Sequence, residues 1–482
     1  MKKADIGMIG LAVMGENLVM NMASKGFTVA AYDIDQSRVK DFSLGRAKGK
    51  SIIPCVDLES FINAIQKPRK VMMMIRAGKP VDSVIEQLIP LLDQGDIIID
   101  GGNSHYPDTI RRTAYVESKG FYFVGSGVSG GEEGALNGPS LMPGGSKEAW
   151  KHIKPIFEKI AADVNGSTCA TWIGSSGSGH FVKMVHNGIE YGDIQLIAEV
   201  YHFMKDVLKL SHDEMSKIFK TWNQTELDSY LIDITGDILA FKDKDGKPLV
   251  TKILDSAGQK GTGKWTAITS LEENVALSLI TEAVYARIMS AKKDERVLAS
   301  TYFPKEDIKF TGNIHEMIDM LKQALYAAKI VSYAQGFDLM MVAGKTYQWE
   351  LDFSEIARIW KGGCIIRSAF LGNIQEAYLK DPSLVNLMLD PFFKSELIKL
   401  IPAWRAVLAT AVMHGIPMPA LSSSLNYFDT YRSENLPANL TQAQRDYFGA
   451  HTYERIDEPR GAFFHTDWTG HGGDTSSTTY NT

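Results

Sequence analysis

Short runs of consecutive apolar residues, separated by amphipathic stretches, dominate the first third of the chain. Residues 5–10 read as a buried strand running into glycine. Residues 14–25 carry apolar positions at helical spacing, and Gly26 ends them. Further strands are predicted at 27–32, 71–75, 96–100 and 120–124. Strands that are apolar throughout, rather than alternating, belong to a parallel sheet covered on both faces. With right-handed crossovers this gives a doubly wound, Rossmann-type α/β domain.

The pattern changes at 174–179, a Gly/Ser-rich stretch that reads as a flexible hinge or boundary. Beyond it long amphipathic helices are predicted, at 187–208, 265–291 and 314–335, with few strand signals. From about residue 453 the chain is rich in Gly, Thr and Ser, a composition that either docks on something or stays disordered. The expected organisation is a dinucleotide-binding domain over 1–176, an all-helical domain over 177–434 for substrate and dimerisation, and a C-terminal tail over 435–482.

Within this frame, Gly10-Leu11-Ala12-Val13-Met14-Gly15 is a G-x-A-x-x-G loop between a strand and a helix. That is the setting in which glycines let backbone approach a pyrophosphate and the helix N-terminus attracts its charge. Asp33 ends the second strand, where a carboxylate accepts hydrogen bonds from the adenosine ribose of NAD and repels the extra phosphate of NADP. Asp35 adds a second negative charge. The competing reading is that Asp33 only caps the following helix.

Lys183, His186, Asn187 and Glu190 share one helical stripe about 100° wide, with Tyr191 at its edge. Such a stripe is either a solvated polar face or a catalytic one. In the second case a lysine takes a hydroxyl proton as the carbon loses hydride, and a carboxyl further along protonates carbon. Asn103, in the loop at 100–104, and Ser129, in the loop at 128–134, follow strands, where doubly wound sheets place ligands. The Gly-rich, basic loop at 258–265 opens a helix and suits a phosphate, although it lacks P-loop spacing. Arg287 and Arg445 carry no local motif.

Composition narrows the classes without choosing among them. The net charge of −6, with both signs interspersed, argues against nucleic-acid binding. Three scattered cysteines (Cys55, Cys169, Cys364) exclude a CxxC zinc or redox motif and suit a reducing compartment. No apolar run reaches the length of about 18 residues that a membrane span needs, so a cytoplasmic protein is expected.

Four segments together carry a resemblance. Residues 124–134, Val-Gly-Ser-Gly-Val-Ser-Gly-Gly-Glu-Glu-Gly, are similar to the substrate loop of the β-hydroxyacid dehydrogenases. Residues 179–193, 255–265 and 444–453 narrow it: the chain resembles the 6-phosphogluconate dehydrogenases from end to end. The resemblance implies oxidative decarboxylation of 6-phosphogluconate to ribulose 5-phosphate, a step of the pentose phosphate pathway. Lys183 would be the general base and Glu190 the acid that protonates the enediol. Asn103, Ser129, Gly130, Gly131, His186 and Asn187 would hold the sugar acid, and Tyr191, Lys260, Thr262 and Arg287 its phosphate. Arg445 and His451 would enter from the partner subunit of a homodimer, through the tail. No metal is implied. The dinucleotide would meet Gly10, Leu11, Ala12, Val13, Met14, Gly15, Asp33, Ile34, Asp35, Arg76, Ala77 and Asn103.

One departure from the family matters. NADP-dependent members carry an Asn-Arg-Thr-type triplet after the second strand, whereas this chain has Asp33-Ile34-Asp35. The expected cofactor is therefore NAD, with NADP as the alternative and Arg38 or Arg76 as the residues that would support it. Two other readings are a non-catalytic dinucleotide-binding protein and a dehydrogenase for another 3-hydroxy acid. Intact Lys183 and Glu190 argue against the first, and the Lys260, Thr262, Arg287 and Arg445 set against the second.

Overall fold

The expected apolar strands form in the computed structural model, which describes residues 2–306, 308–472 and 475–477. They are β1 (Ile6–Ile9), β2 (Val29–Tyr32), β4 (Lys70–Met73), β5 (Ile97–Asp100) and β6 (Tyr122–Ser129), and two strands that were not expected join them, β3 (Ile52–Pro54) and β7 (Ser140–Gly145). All seven join one sheet in the order β3-β2-β1-β4-β5-β6-β7. Along β5, Ile97 and Ile99 enter the apolar cluster on one face, and Ile98 enters the cluster on the other. Burial on both faces is why the strand pattern is continuous rather than alternating.

Two strands escape the apolar pattern. β3 is a short edge strand ending in Pro54. β7 contains Pro143, Gly144 and Gly145, all poor strand formers, and runs antiparallel to β6. The sheet is thus parallel except at this end. β6 also extends five residues beyond its predicted end, to Ser129, because pairing with β7 runs to Ser129↔Ser140.

The Gly/Ser stretch at 174–179 is not a free hinge. Helix Ser178–Asp206 begins inside it. A side chain on Gly179 would collide with the backbone oxygens of Met142 and Gly125. Glycine there serves close packing of the helix on β6 and β7, which a sequence pattern cannot tell from flexibility. The helix is buried on nearly every side over its first half. It packs against β6, β7, and the helices Thr262–Glu272, Ser278–Ala291 and Ile314–Thr346. Asp193 and Lys329 tie it to the last of these with a fully buried ion pair at 2.6 Å. The single helix predicted over 265–291 is two. Asn274 takes φ +56° between them, a left-handed turn that asparagine tolerates.

Residues Met1–Ser424 form one compact unit and Leu425–Thr482 a second. The second holds more order than its composition suggests. Helix Ala438–Gly449 precedes a two-stranded hairpin, Tyr453–Glu454 with Phe463–Phe464. Asp446 is buried at their centre. Its carboxylate accepts from Thr452 N at 2.9 Å, Thr466 N at 3.0 Å and Trp468 Nε1 at 2.8 Å, with His465 Nδ1 at 3.0 Å. A charge-assisted hub of this kind orders a segment that has little apolar area to bury. Among the described residues, no helix is long and apolar enough to cross a membrane.

Candidate active site

The sheet order reverses direction between β1 and β4, and a crevice opens there at the strand C-termini, as doubly wound topology requires. Gly10 follows β1 with φ +98°, and a side chain on Gly15 would overlap the Gly10 carbonyl oxygen. Both glycines are therefore dictated by the turn itself. Helix Val13–Ser24 starts at Ala12, which offers its first-turn amides no side-chain cap. Those amides are the open donors an anionic pyrophosphate needs. Glu16, the acidic residue of that turn, is neutralised by Arg46 at 3.0 Å. The loop thus fits a dinucleotide.

Asp33 is not the helix cap. That role falls to Asp35, whose carboxylate accepts from Ser37 N at 3.0 Å. Asp33 is buried, and its carboxylate instead receives Leu11 N–H at 2.7 Å and Asp35 N–H at 2.9 Å. These bonds fix a carboxylate beside the glycine loop, where a ribose would sit. Between the two aspartates Ile34 is 87% exposed, an apolar surface with no core role. Arg38 lies 3.5 Å from Asp35.

The crevice continues into a cleft of about 800 Å³. Ala12, Val13, Met14, Gly15 and Arg76 line the dinucleotide side, and Asn103, Ser129, Gly130 and Gly131 the middle. Lys183, Asn187, Glu190 and Tyr191 face it from the long helix, with Lys260, Thr262 and Arg287 at the far end. Gly10, Leu11, Asp33, Ile34, Asp35 and Ala77 are not in its lining, although Asp33 holds the loop through Leu11. His186 lies behind the wall, fully buried.

The polar stripe is thus not a solvated face: Lys183 is 6% exposed and His186 0%. His186 Nδ1 is 3.1 Å from Asn187 Oδ1 and 3.4 Å from Lys183 Nζ, and its Nε2 is 3.2 Å from Ser129 Oγ. Burial, reinforced by the lysine charge, pushes the His186 pKa well below its ordinary 6.5, so the ring is neutral. An amide oxygen only accepts, so Nδ1 carries the proton and Nε2 accepts from Ser129. Burial likewise lowers the Lys183 pKa, opposed by the Glu190 and Cys364 charges. Burial raises that of Glu190, opposed by Lys183 and Arg287. The helix therefore presents a lysine biased toward the neutral amine and a glutamate biased toward the acid.

At the far end, the Arg287 guanidinium stacks 3.5 Å from the centre of the Tyr191 ring and approaches the Gly258 carbonyl at 3.4 Å. Stacking leaves its remaining N–H groups available to an anion. Lys260 and the helix-opening Thr262 complete this cationic end. Among the described residues, no group of three or more His, Cys, Asp or Glu side chains is placed to hold a metal.

Arg445 and His451 belong to the second unit, where Arg445 donates to Gln442 Oε1 at 3.0 Å and His451 packs edge-on to Phe448. Sequence reasoning missed Met74 and Ile75 after β4, Gln259, and Ile365 in the lining. The first pair follows a strand, the position that marks crevice residues, and was readable. Ile365 lies on a loop between two helices, and only the Gly362-Gly363 doublet before it hints at close approach: Gly363 O accepts from Ser140 N at 2.7 Å.

Two family models match the chain. Residues 5–174 match the NAD binding domain of 6-phosphogluconate dehydrogenase, and residues 179–468 match the 6-phosphogluconate dehydrogenase C-terminal domain. A protein of Cunninghamella elegans named 6-phosphogluconate dehydrogenase, decarboxylating, is 59% identical over 99% of both chains. Its namesake in Ovis aries is 56% identical over 100% of both. The Plasmodium falciparum 6-phosphogluconate dehydrogenase superposes with a TM-score of 0.93 at 44% identity, covering 96% of this chain and 100% of that one. It was solved in its apo form, with its cofactor NADP+ and with its substrate 6-phosphogluconate.

Proposed function

The chain belongs to the 6-phosphogluconate dehydrogenase family, and on that premise we propose that its cleft converts 6-phospho-D-gluconate to D-ribulose 5-phosphate and CO2, with NAD as hydride acceptor. One observation carries the reading. Lys183 and Glu190, from one buried helix, open onto the same cleft as the cationic Lys260 and Arg287.

The residues divide the work as follows. Lys260, Thr262, Arg287 and Tyr191 hold the phosphate, and Asn103, Ser129, Gly130, Gly131, His186 and Asn187 orient the sugar acid. Lys183 Nζ takes the proton of the 3-hydroxyl. The bound nicotinamide ring supplies the hydride acceptor. The β-keto acid loses CO2, the bond electrons pass to the ketone oxygen, and Lys183 returns its proton there. Glu190 then protonates the carbon that lost CO2, and the enediol becomes the ketose as its hydroxyl gives its proton back to the Lys183 amine. This leaves a lysine ammonium and a glutamate carboxylate, and transfer of one proton from the first to the second restores the starting amine and acid.

A bell-shaped pH profile follows. With ordinary values of 10.5 for the lysine and 4.5 for the glutamate, almost no molecules would hold a free amine and a protonated carboxyl together. Burial lowers the first and raises the second, which increases the share of molecules that hold both. The kcat/KM is expected to rise as Lys183 loses its proton and to fall as Glu190 loses its own. A profile flat from pH 5 to 10 would refute this assignment.

NAD rather than NADP is supported by Asp33 and Asp35. A 2′-phosphate placed there would meet two carboxylates, and Arg38 is already beside Asp35. Ile34 offers the adenine an apolar surface in place of a cation. Initial rates at matched cofactor concentrations test this. The expected kcat/KM is higher with NAD by about tenfold or more, the effect of ~1.4 kcal/mol. A preference for NADP would overturn it and shift attention to Arg76, which lines the cleft.

We also infer a homodimer in which Arg445 and His451 complete the partner's site. Support lies in the second unit, which spends its buried Asp446 on internal order while Arg445 beside it is held only by Gln442 among the described contacts. Truncation before Ala443 should leave a folded first unit with no turnover. Full activity in the truncated chain would remove the tail from the reaction.

A further inference from the structure

Two aromatic rings outside the cleft join its opposite walls. His105 follows the Asn103 loop and caps helix Tyr106–Ser118. Trp265 sits in the first turn of helix Thr262–Glu272, just after the Lys260 loop. Their rings stack with centroids 4.6 Å apart and planes 25° from parallel. One wall is carried by the dinucleotide-binding sheet and the other by the helical region, so the stack is a bridge between the two.

Each ring rests on a stiff base. Asp100 holds the Asn103 loop by accepting from Gly102 N at 3.1 Å and Ser104 Oγ at 2.6 Å. On the other side, Thr266 Oγ1 donates to the Met184 carbonyl at 3.0 Å, tying the helix that follows the Lys260 loop to the catalytic helix beside Lys183. The backbone N–H of Trp265 donates to Gly261 O at 3.0 Å, in the turn that presents Thr262, so the residue that carries the indole is fixed to the start of that helix. Both rings are only half-buried and neither belongs to an apolar core cluster, so packing alone does not account for the pair.

We propose that the His105–Trp265 stack is a clasp that sets the distance between Asn103 and the Lys260–Thr262 loop, and so positions the phosphorylated end of the substrate relative to the reacting carbon. Both are positioning residues; neither touches the cleft. The proposal rests on the reading of Lys260 and Thr262 as phosphate-binding residues. Aromatic stacking is geometrically selective, so loss of one ring releases the wall without removing any substrate contact.

Steady-state kinetics of Trp265→Ala, His105→Ala, their double variant, Trp265→Phe and Lys260→Ala test the clasp. Expected for either alanine variant is a KM for 6-phosphogluconate raised about tenfold, with kcat and the KM for NAD each within about threefold of the parent. The double variant should be no worse than either single one, since both break the same contact. Trp265→Phe, which keeps a ring, should recover most of the affinity. If Lys260→Ala raises the KM but the alanine variants at 105 and 265 do not, or if their effects add, the clasp is wrong and the phosphate reading stands. If Lys260→Ala leaves the KM unchanged, the phosphate reading falls and takes the clasp with it. Should Trp265→Ala not fold, His105→Ala against His105→Phe decides the same question.

Discussion

Lys183→Met is expected to lower kcat by about a thousandfold, within the range of about 10² to 10⁴ that general acid–base groups contribute. Dinucleotide affinity should stay within about twofold, because the lysine is carried by the long helix and not by the glycine loop. Methionine matches the lysine stem and leaves no buried charge unpaired, so folding should survive. Lys183→Arg separates two roles. A guanidinium keeps the positive charge but does not take up a proton at working pH. If Lys183 acts as a base, arginine should be as inactive as methionine; if it only attracts the carboxylate substrate, arginine should restore much of the rate. Turnover followed by nicotinamide reduction, with cofactor titration on the same samples, reads both quantities. Parent-like activity in the methionine variant would remove the lysine from the mechanism.

Why this residue was legible in the sequence is instructive. Lys183, His186, Asn187 and Glu190 lie within eight consecutive residues, and helical spacing alone puts them on one face. What spacing could not decide was whether that face is wet. The answer lies in tertiary packing: β6, β7 and three helices enclose the stripe, and their burial generates the pKa shifts that make it reactive. The glycine loop was readable for a related reason, since the positive φ of Gly10 and the clearance of its carbonyl by Gly15 both arise within six residues. Asp33 and Asp35 show the opposite case. Both are acidic and two positions apart, so sequence alone could not say which caps the helix and which serves the loop. The distances to Ser37 and Leu11 divide those roles. β7, rich in glycine and proline, is a strand only because β6 templates it. The order of the second unit depends on one carboxylate, Asp446, which carries no periodic pattern at all.

Glu190→Gln should leave a different mark from any change at Lys183. Glutamine keeps the size and hydrogen-bonding capacity of the side chain but has no proton to give to carbon. Hydride transfer and loss of CO2 precede that step, so they should proceed once. Rapid mixing is expected to show a burst of nicotinamide reduction of about one equivalent per site, then a steady state slowed by about a hundredfold. The pH profile should change as well. The limb that falls at high pH belongs to Glu190 and should vanish. The limb that rises from low pH belongs to Lys183. Over that limb Glu190 is still protonated and uncharged, so its replacement by glutamine should leave the Lys183 limb in place. Loss of both limbs together would mean that they do not belong to two separate groups. A uniform loss of rate with no burst and an unchanged profile would assign the carbon protonation to another group in the cleft and leave Glu190 with a binding role only.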